Sequence, residues 1–152
     1  MGKYDEPEQA VIFDMDGTLA DCEHRRHFVE GKKKYFDKFY DAMDEDTTNS
    51  VICGLCNMYF MNNWHVIICT GRPESYRNIT EKWLKDHGVF YKELMMRPND
   101  RKYDPDFEVK QTMLDEILKD RKVHAAIDDR NQVVNMWRRN GITCMQVADG
   151  GF

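Results

Sequence analysis

An α/β fold, built as a three-layer Rossmann-like parallel sheet with helices on both faces and a small cap insertion after the first strand, is what the 152-residue sequence predicts. Two observations predict it. Short apolar runs alternate almost throughout with longer amphipathic ones, the order expected when each buried strand is followed by a crossover helix. The rhythm breaks only over residues 22–47, where "CEHRRHFVEGKKKYFDKFYDAMDED" is polar, aromatic and charged.

Each element follows from its own pattern. "AVIFD" reads as a buried strand. "TTNSVICGLCNMYFMNN" is a helix opened by a Thr/Asn cap, and "HVIICT" is a second buried strand. "PESYRNITEKWLKDHG" has Pro73 for a first helical turn and Gly88 to end it. "ELMMR" is a third strand, "DFEVKQTMLDEILKD" a helix and "VHAAID" a fourth strand. "RNQVVNMWRRNG" is a helix stopped by Gly141, before a fifth strand, "TCMQV". Within the insertion a short helix is expected around Lys33 to Met43. The tail "ADGGF" completes the last strand and turn.

Length and composition bound the rest. With 152 residues and 41% hydrophobic content, residues 1–152 suit one domain with a real core, carrying the cap at about 22–47. A net charge of −5 disfavours tight non-specific binding to long nucleic acid, which depends on basic side chains neutralising phosphates. The odd count of five cysteines and the charged start "MGKYDEPEQ" point to a reduced, cytoplasmic setting. No apolar run approaches the roughly 18 residues of a membrane span.

In such a sheet, ligands bind beyond the carboxyl ends of the strands. Those ends carry Asp14 with Asp16, Thr70 with Arg72, and Asp128 with Asp129, while Lys110 lies near a helix start. Clustered carboxylates repel one another unless a cation sits among them, and hard oxygen donors suit Mg²⁺, which prefers carboxylates together with substrate phosphate. A lysine and an arginine beside them meet the remaining phosphate charge. Gly17 lets the turn after the first strand bring backbone N–H groups close to a phosphate.

"DMDGT", "CTGR", the isolated lysine of "DFEVKQ" and "AIDDR", in that order on alternating strands and helices, resemble the haloacid dehalogenase superfamily of phosphotransferases over nearly the whole chain. "AIDDRNQVVNMWRRNGITCMQVADGGF" and "TGRPESYRNITEKWL" are similar to the phosphatase domains of bacteriophage polynucleotide kinase/phosphatases, which remove 3′-phosphates from nucleic-acid ends in DNA repair. The resemblance implies that Asp14 is a nucleophile forming an aspartyl-phosphate. It implies that Asp16 protonates the leaving alkoxide and later deprotonates water. Thr70 would hydrogen-bond a phosphoryl oxygen and Lys110 would neutralise charge. Asp14, Asp128, Asp129 and the backbone carbonyl of Asp16 would hold Mg²⁺. Gly17, Thr18, Gly71 and Asp106 would line the substrate site, and Arg25 and Arg72 would grip its phosphate. The acid at position 16 favours hydrolysis over retention of the phosphoryl group.

The implied reaction is Mg²⁺-dependent hydrolysis of a terminal 3′-phosphate of a polynucleotide or nucleotide. One rival is a phosphatase of nucleoside 5′-monophosphates, and a second is a non-catalytic binder of phosphorylated nucleic-acid ends. The 22–47 insertion has no familiar counterpart. No G-x-x-x-x-G-K-[S/T] occurs in these residues, so no ATP-dependent kinase activity is expected of them, and a separate kinase or ligase partner is.

Other conspicuous residues have plainer readings. Cys53 and Cys56 form a C-x-x-C without a second pair and read as core thiols rather than zinc ligands. Cys22, His24 and His27 read as cap residues, and Trp83 and Trp137 as core. Lys32 to Lys34, beside Tyr35, Phe36, Phe39 and Tyr40, suit either a solvated face or contact with a nucleotide whose base stacks on a ring.

Overall fold

The computed structural model describes residues 9–151. Five parallel strands form the sheet: β1 (Gln9–Phe13), β4 (His65–Pro73), β5 (Glu93–Arg97), β6 (Lys122–Asp128) and β7 (Cys144–Gln146). Their spatial order is β5-β4-β1-β6-β7. β1 is therefore central, between β4 and β6, and the three strands expected to carry site residues end side by side. The charged start of the sequence lies almost wholly outside the described residues, as does Phe152 of the tail.

Side-chain alternation along β1 builds the three layers. Ala10 and Ile12 face α5 (Asp106–Ile117) and α6 (Asn131–Arg139), meeting Val109, Leu114, Val133 and Trp137 in one apolar cluster. Val11 and Phe13 face the other way. They join Cys56, Trp83 and Leu84 of α3 (Ser50–Met61) and α4 (Arg77–Asp86) in a second cluster. The Cys53 thiol hydrogen-bonds to the Leu19 carbonyl, and that of Cys56, buried and pushed up to about 12 by burial, to the Phe90 carbonyl. These are core contacts.

The insertion is closed by a small antiparallel pair, β2 (Ala20–Asp21) with β3 (Thr47–Thr48), so the cap begins and ends at one place beside the end of β1. Between them lie α1 (Glu23–Arg26) and α2 (Phe36–Asp41). The cap helix is shorter than expected from Lys33 to Met43. The Tyr35 N–H is committed to the Phe28 carbonyl and Gly31 takes φ 94°, which leaves exposed Lys32 to Lys34 in the approach to the helix.

Two helix starts are fixed by capping and strand pairing together. Pro73 extends β4 opposite Arg97, after an irregularity following Thr70, and also caps a 3₁₀ turn over Glu74–Tyr76 that leads into α4 at Arg77. The α3 cap is Asn49, whose side chain accepts from the Ile52 N–H, while the threonines before it form β3. Residues Asp149 and Gly150 of the tail fold back, and the Gly150 carbonyl accepts from the Asn131 N–H at 2.8 Å. Among the described residues no helix is long and apolar enough to cross a membrane.

Candidate active site

Asp14 follows directly on β1 at the carboxyl edge of the sheet, held by its N–H to the Ile127 carbonyl at 2.9 Å. Both of its oxygens are engaged. Lys110 Nζ donates to Oδ1 at 2.7 Å, and Thr18 Oγ1 donates to Oδ2 at 3.0 Å. Lys110, reaching in from α5, also donates to Asp128 Oδ2 at 3.0 Å. Asp128 ends β6 and takes a second donor on Oδ2 in Trp137 Nε1 at 3.2 Å, while its Oδ1 accepts from the Asp129 N–H. Asp14, Asp128 and Asp129 offer carboxylate oxygens within 4.8 Å of one another.

One buried ammonium faces three buried carboxylates, so the cluster carries excess negative charge. Burial pushes the Asp14 carboxyl well above its usual range, and the charges of Asp128 and Asp129 add to the rise while Lys110 opposes it. Burial and Asp128 likewise raise Asp129 to about 6. Lys110 moves the other way from an isolated buried amine: burial would lower it, but Asp128 and Asp14 hold it protonated. A hard divalent cation would relieve this repulsion. The donors are all oxygen, with no thiolate or imidazole among them, which fits Mg²⁺.

Gly17 makes the cluster possible. It has φ 82°, and a Cβ there would lie 2.1 Å from Asp129 Oδ2, so the turn after β1 closes onto the β6 carboxylates only without a side chain. Gly71 plays the same part across the site, since a Cβ would lie 2.4 Å from Asp106 Oδ1. Its carbonyl accepts from Arg97 Nε at 2.9 Å and from Tyr40 Oη at 3.3 Å. Thr70 Oγ1 accepts from the Arg72 N–H at 3.1 Å. Asp106 is approached by Arg97, Lys110 and Arg130 at 3.4–3.8 Å.

Asp16 stands apart electrostatically. Arg72 Nε and Nη2 reach its carboxylate at 3.0 and 2.6 Å, and Arg25 Nη2 at 2.5 Å. Burial opposes ionisation of Asp16, but Arg72 and then Arg25 overcome it and hold the carboxyl well below its usual range. Both guanidinium groups are fully buried. Asp46, just before β3, completes the arrangement: it accepts from Arg25 Nε at 2.7 Å and Nη2 at 2.6 Å, from Arg72 Nη2 at 3.4 Å, and bonds His24 Nε2 at 2.7 Å.

Asp14, Asp16, Thr70, Gly71, Asp106, Asp128 and Asp129 therefore border one cleft of about 620 Å³, with Lys110 buried behind them. Three expectations change. Arg25 and Arg72 do not face the cleft to grip a phosphate but clamp Asp16, because a buried guanidinium needs carboxylate partners. Thr18 is turned to Asp14 rather than to the substrate side.

Asp46 and Arg97 were missed. Asp46 hides in the acidic run "DED", where nothing in the pattern separates it from Asp44 and Glu45. Arg97 could have been found, since it ends a strand on the same edge. Trp137 is core as expected, and it also bonds Asp128.

An acidic edge on a three-layer parallel sheet, with a lysine between its carboxylates, defines a haloacid dehalogenase-type phosphomonoesterase. The model of the polynucleotide kinase PNKP phosphatase domain matches residues 8–152, and the chain belongs to that family. It is similar to a chain of the Pnkp1/Rnl/Hen1 RNA repair complex, with 34% identity and a TM-score of 0.79 over 96% of this chain and 44% of that one. A second Pnkp1/Rnl/Hen1 complex gives 35% identity and 0.78 over 99% and 49%. The chain thus spans less than half the length of these relatives. A class C acid phosphatase from Bacillus anthracis with tungstate bound shares the fold at 14% identity and a TM-score of 0.65, over 86% of this chain and 55% of that one.

Two predictions follow from the charges. Asp46→Ala leaves the buried Arg25 and Arg72 to share one carboxylate, Asp16, and should lower stability by about 3–5 kcal/mol, read by urea denaturation; a change below about 1 kcal/mol would show that the clamp does not depend on it. The raised carboxyls of Asp14 and Asp129 favour the folded chain while protonated, and this contribution is lost as pH rises, for Asp129 through about 6. Without metal, stability should fall across that range, and Mg²⁺ should raise Tm more at pH 8 than at pH 5, by a few degrees. Equal gains at both values would contradict a metal site among these carboxylates.

Proposed function

We propose that residues 1–152 act as a single phosphatase domain, with the 22–47 insertion as its cap, hydrolysing a terminal 3′-phosphate of a polynucleotide or nucleotide through an aspartyl-phosphate. The observation that carries this reading is the pairing of two carboxylates in opposite states: Asp14 amid Lys110, Asp128 and Asp129, and Asp16 between two arginines.

Asp14 is fixed by Lys110 and Thr18 and faces the cleft, so its position suits attack on phosphorus. The new Oδ–P bond forms as the bond from phosphorus to the leaving oxygen breaks, and that oxygen takes the electron pair. Asp16 then supplies a proton to the leaving oxygen. Its carboxyl is ionised beside Arg25 and Arg72, and the arrival of a phosphate dianion favours proton uptake by adding negative charge next to it. In the second half, Asp16 accepts a proton from water as water attacks phosphorus, which releases inorganic phosphate and restores Asp14. Lys110 and Thr70 face the phosphoryl oxygens. Asp14, Asp128, Asp129 and the Asp16 carbonyl would hold Mg²⁺, which when bound would supply neutralising charge for the phosphoryl group.

The choice of a 3′-phosphate rests on the family, and a separate kinase or ligase partner is in keeping with relatives seen in a Pnkp1/Rnl/Hen1 RNA repair complex.

Asp14→Asn should lower kcat by roughly a thousandfold or more with the fold retained; substantial residual turnover would exclude the aspartyl-phosphate. Asp16→Asn should cost about 10²–10⁴-fold on a 3′-phosphorylated oligonucleotide and much less on p-nitrophenyl phosphate, whose leaving group needs no proton. Equal losses would remove Asp16 as the acid. Activity should stop in EDTA and return with Mg²⁺. Faster hydrolysis of nucleoside 5′-monophosphates than of the 3′-phosphorylated oligonucleotide would replace the proposed substrate with a small nucleotide.

A further inference from the structure

The cleft is far larger than a phosphate needs. Its volume of about 620 Å³ falls among cavities that enclose whole small molecules. The additional space lies between the cap and the 98–105 segment, and its cap side is a row of rings. Tyr76 and Tyr40 have centroids 5.3 Å apart, and Tyr40 and Phe36 follow at 6.2 Å with planes inclined by only 25°. The row starts at the catalytic floor, because Tyr40 Oη donates to the carbonyl of Gly71, the neighbour of Thr70. It ends at the mouth, where Phe36 is 43% exposed. Tyr103, 91% exposed, borders the cleft from the facing segment. Lys102 Nζ, 3.7 Å from Asp37 Oδ1, brings that segment up to the cap helix.

We propose that this wall is a nucleobase subsite: Phe36 and Tyr40 on the cap, with Tyr103 opposite, receive the base of the nucleotide whose phosphate lies at Asp14. The assignment rests on the nucleotide-end reading above and adds how the end is held. Planar rings bind any base by its face, which gives recognition of an end without recognition of sequence.

The charges on the rim fit this mode of binding. Glu30, Asp37 and Asp104 line the cleft together with Lys34, Lys102 and Arg130, so its rim mixes both signs of charge rather than presenting a basic track for a run of phosphates. Of the lysine run in the cap, only Lys34 borders the cleft, while Lys33 lies over the Tyr35 ring at 5.3 Å. The footprint is therefore short, a stacked terminal base rather than a bound backbone. This also reconciles an acidic chain, net charge −5, with a nucleic-acid substrate.

The test is steady-state kinetics of the full chain with Mg²⁺ on two single-stranded oligonucleotides. One carries its 3′-phosphate on an ordinary terminal nucleoside, the other on an abasic tetrahydrofuran residue. The base-bearing end should be preferred by roughly tenfold or more in kcat/KM, the order expected for one stacked base. In Phe36→Ala combined with Tyr103→Ala, the preference should shrink to about twofold, mainly through KM on the base-bearing end. Raising salt from about 50 to 200 mM should lower kcat/KM only a few-fold, unlike a protein that makes many phosphate contacts.

Equal wild-type rates on the two ends would overturn the subsite, as would a double variant that loses the same factor on both. Hydrolysis of p-nitrophenyl phosphate with neither oligonucleotide cleaved is a different failure. It would strike the nucleotide-end reading itself, and the subsite with it.

Discussion

Three carboxylates held against one ammonium at the end of a central strand are the constraint around which the rest of the structure is arranged. Like charges at this distance in a dry environment are strongly unfavourable, so the chain must bring them together with contacts that leave no alternative. The strand order does most of this, because β1 lies beside β6 and Asp14 and Asp128 emerge at neighbouring positions. Lys110 joins them from α5, whose apolar face is anchored under the sheet by Val109, Met113 and Leu114. Trp137 ties α6 to the same carboxylate. Hydrophobic packing on one face of the sheet thus holds polar groups in an arrangement they would not adopt alone.

The second carboxylate of the pair at the end of β1 is governed by the opposite balance. Asp16 has two arginines and shares them with Asp46, so its surroundings carry nearly matched charge. Arg25 and Asp46 belong to the cap, whereas Arg72 follows Thr70 on β4. The clamp is consequently also the joint between cap and sheet. Phe39 covers it, with the Arg25 guanidinium 4.1 Å from its ring centroid, and Trp83 fixes Asp46 by donating to its carbonyl at 2.9 Å. A shift of the cap would be felt at Asp16 before it reached Asp14.

Much of this was legible in the sequence because periodicity and order are local properties. Five strands, their helices and the residues at the strand ends could be placed from apolar runs alone, and "DMDGT", "TGR" and "DDR" named the floor of the site. What could not be read was the partner each charge would choose. Arg25 and Arg72 look equally suited to a substrate phosphate or to an internal acid, and the decision lies with Asp46, distant in sequence from both and indistinguishable from its acidic neighbours. Pro73 was legible in part: its ring fits a helix start as well as an extended residue, and it serves as both, pairing with β5 and capping the turn that leads into α4. Contacts that depend on closure of the cap are absent from any local pattern.

The cap explains how one edge can be both acidic and receptive to a phosphate. Its rings and the facing 98–105 segment wall the approach, and partly apolar walls strengthen charge interactions at the floor by displacing water from around it once the cleft is filled. That strengthening would be harmful over an acidic floor alone, since it would magnify repulsion of an incoming dianion. It becomes useful only when the floor carries a cation and Lys110 stays protonated, as its carboxylate neighbours ensure. The cap and the charged cluster are therefore interdependent. Asp16 lies where they meet, bonded to an arginine from each.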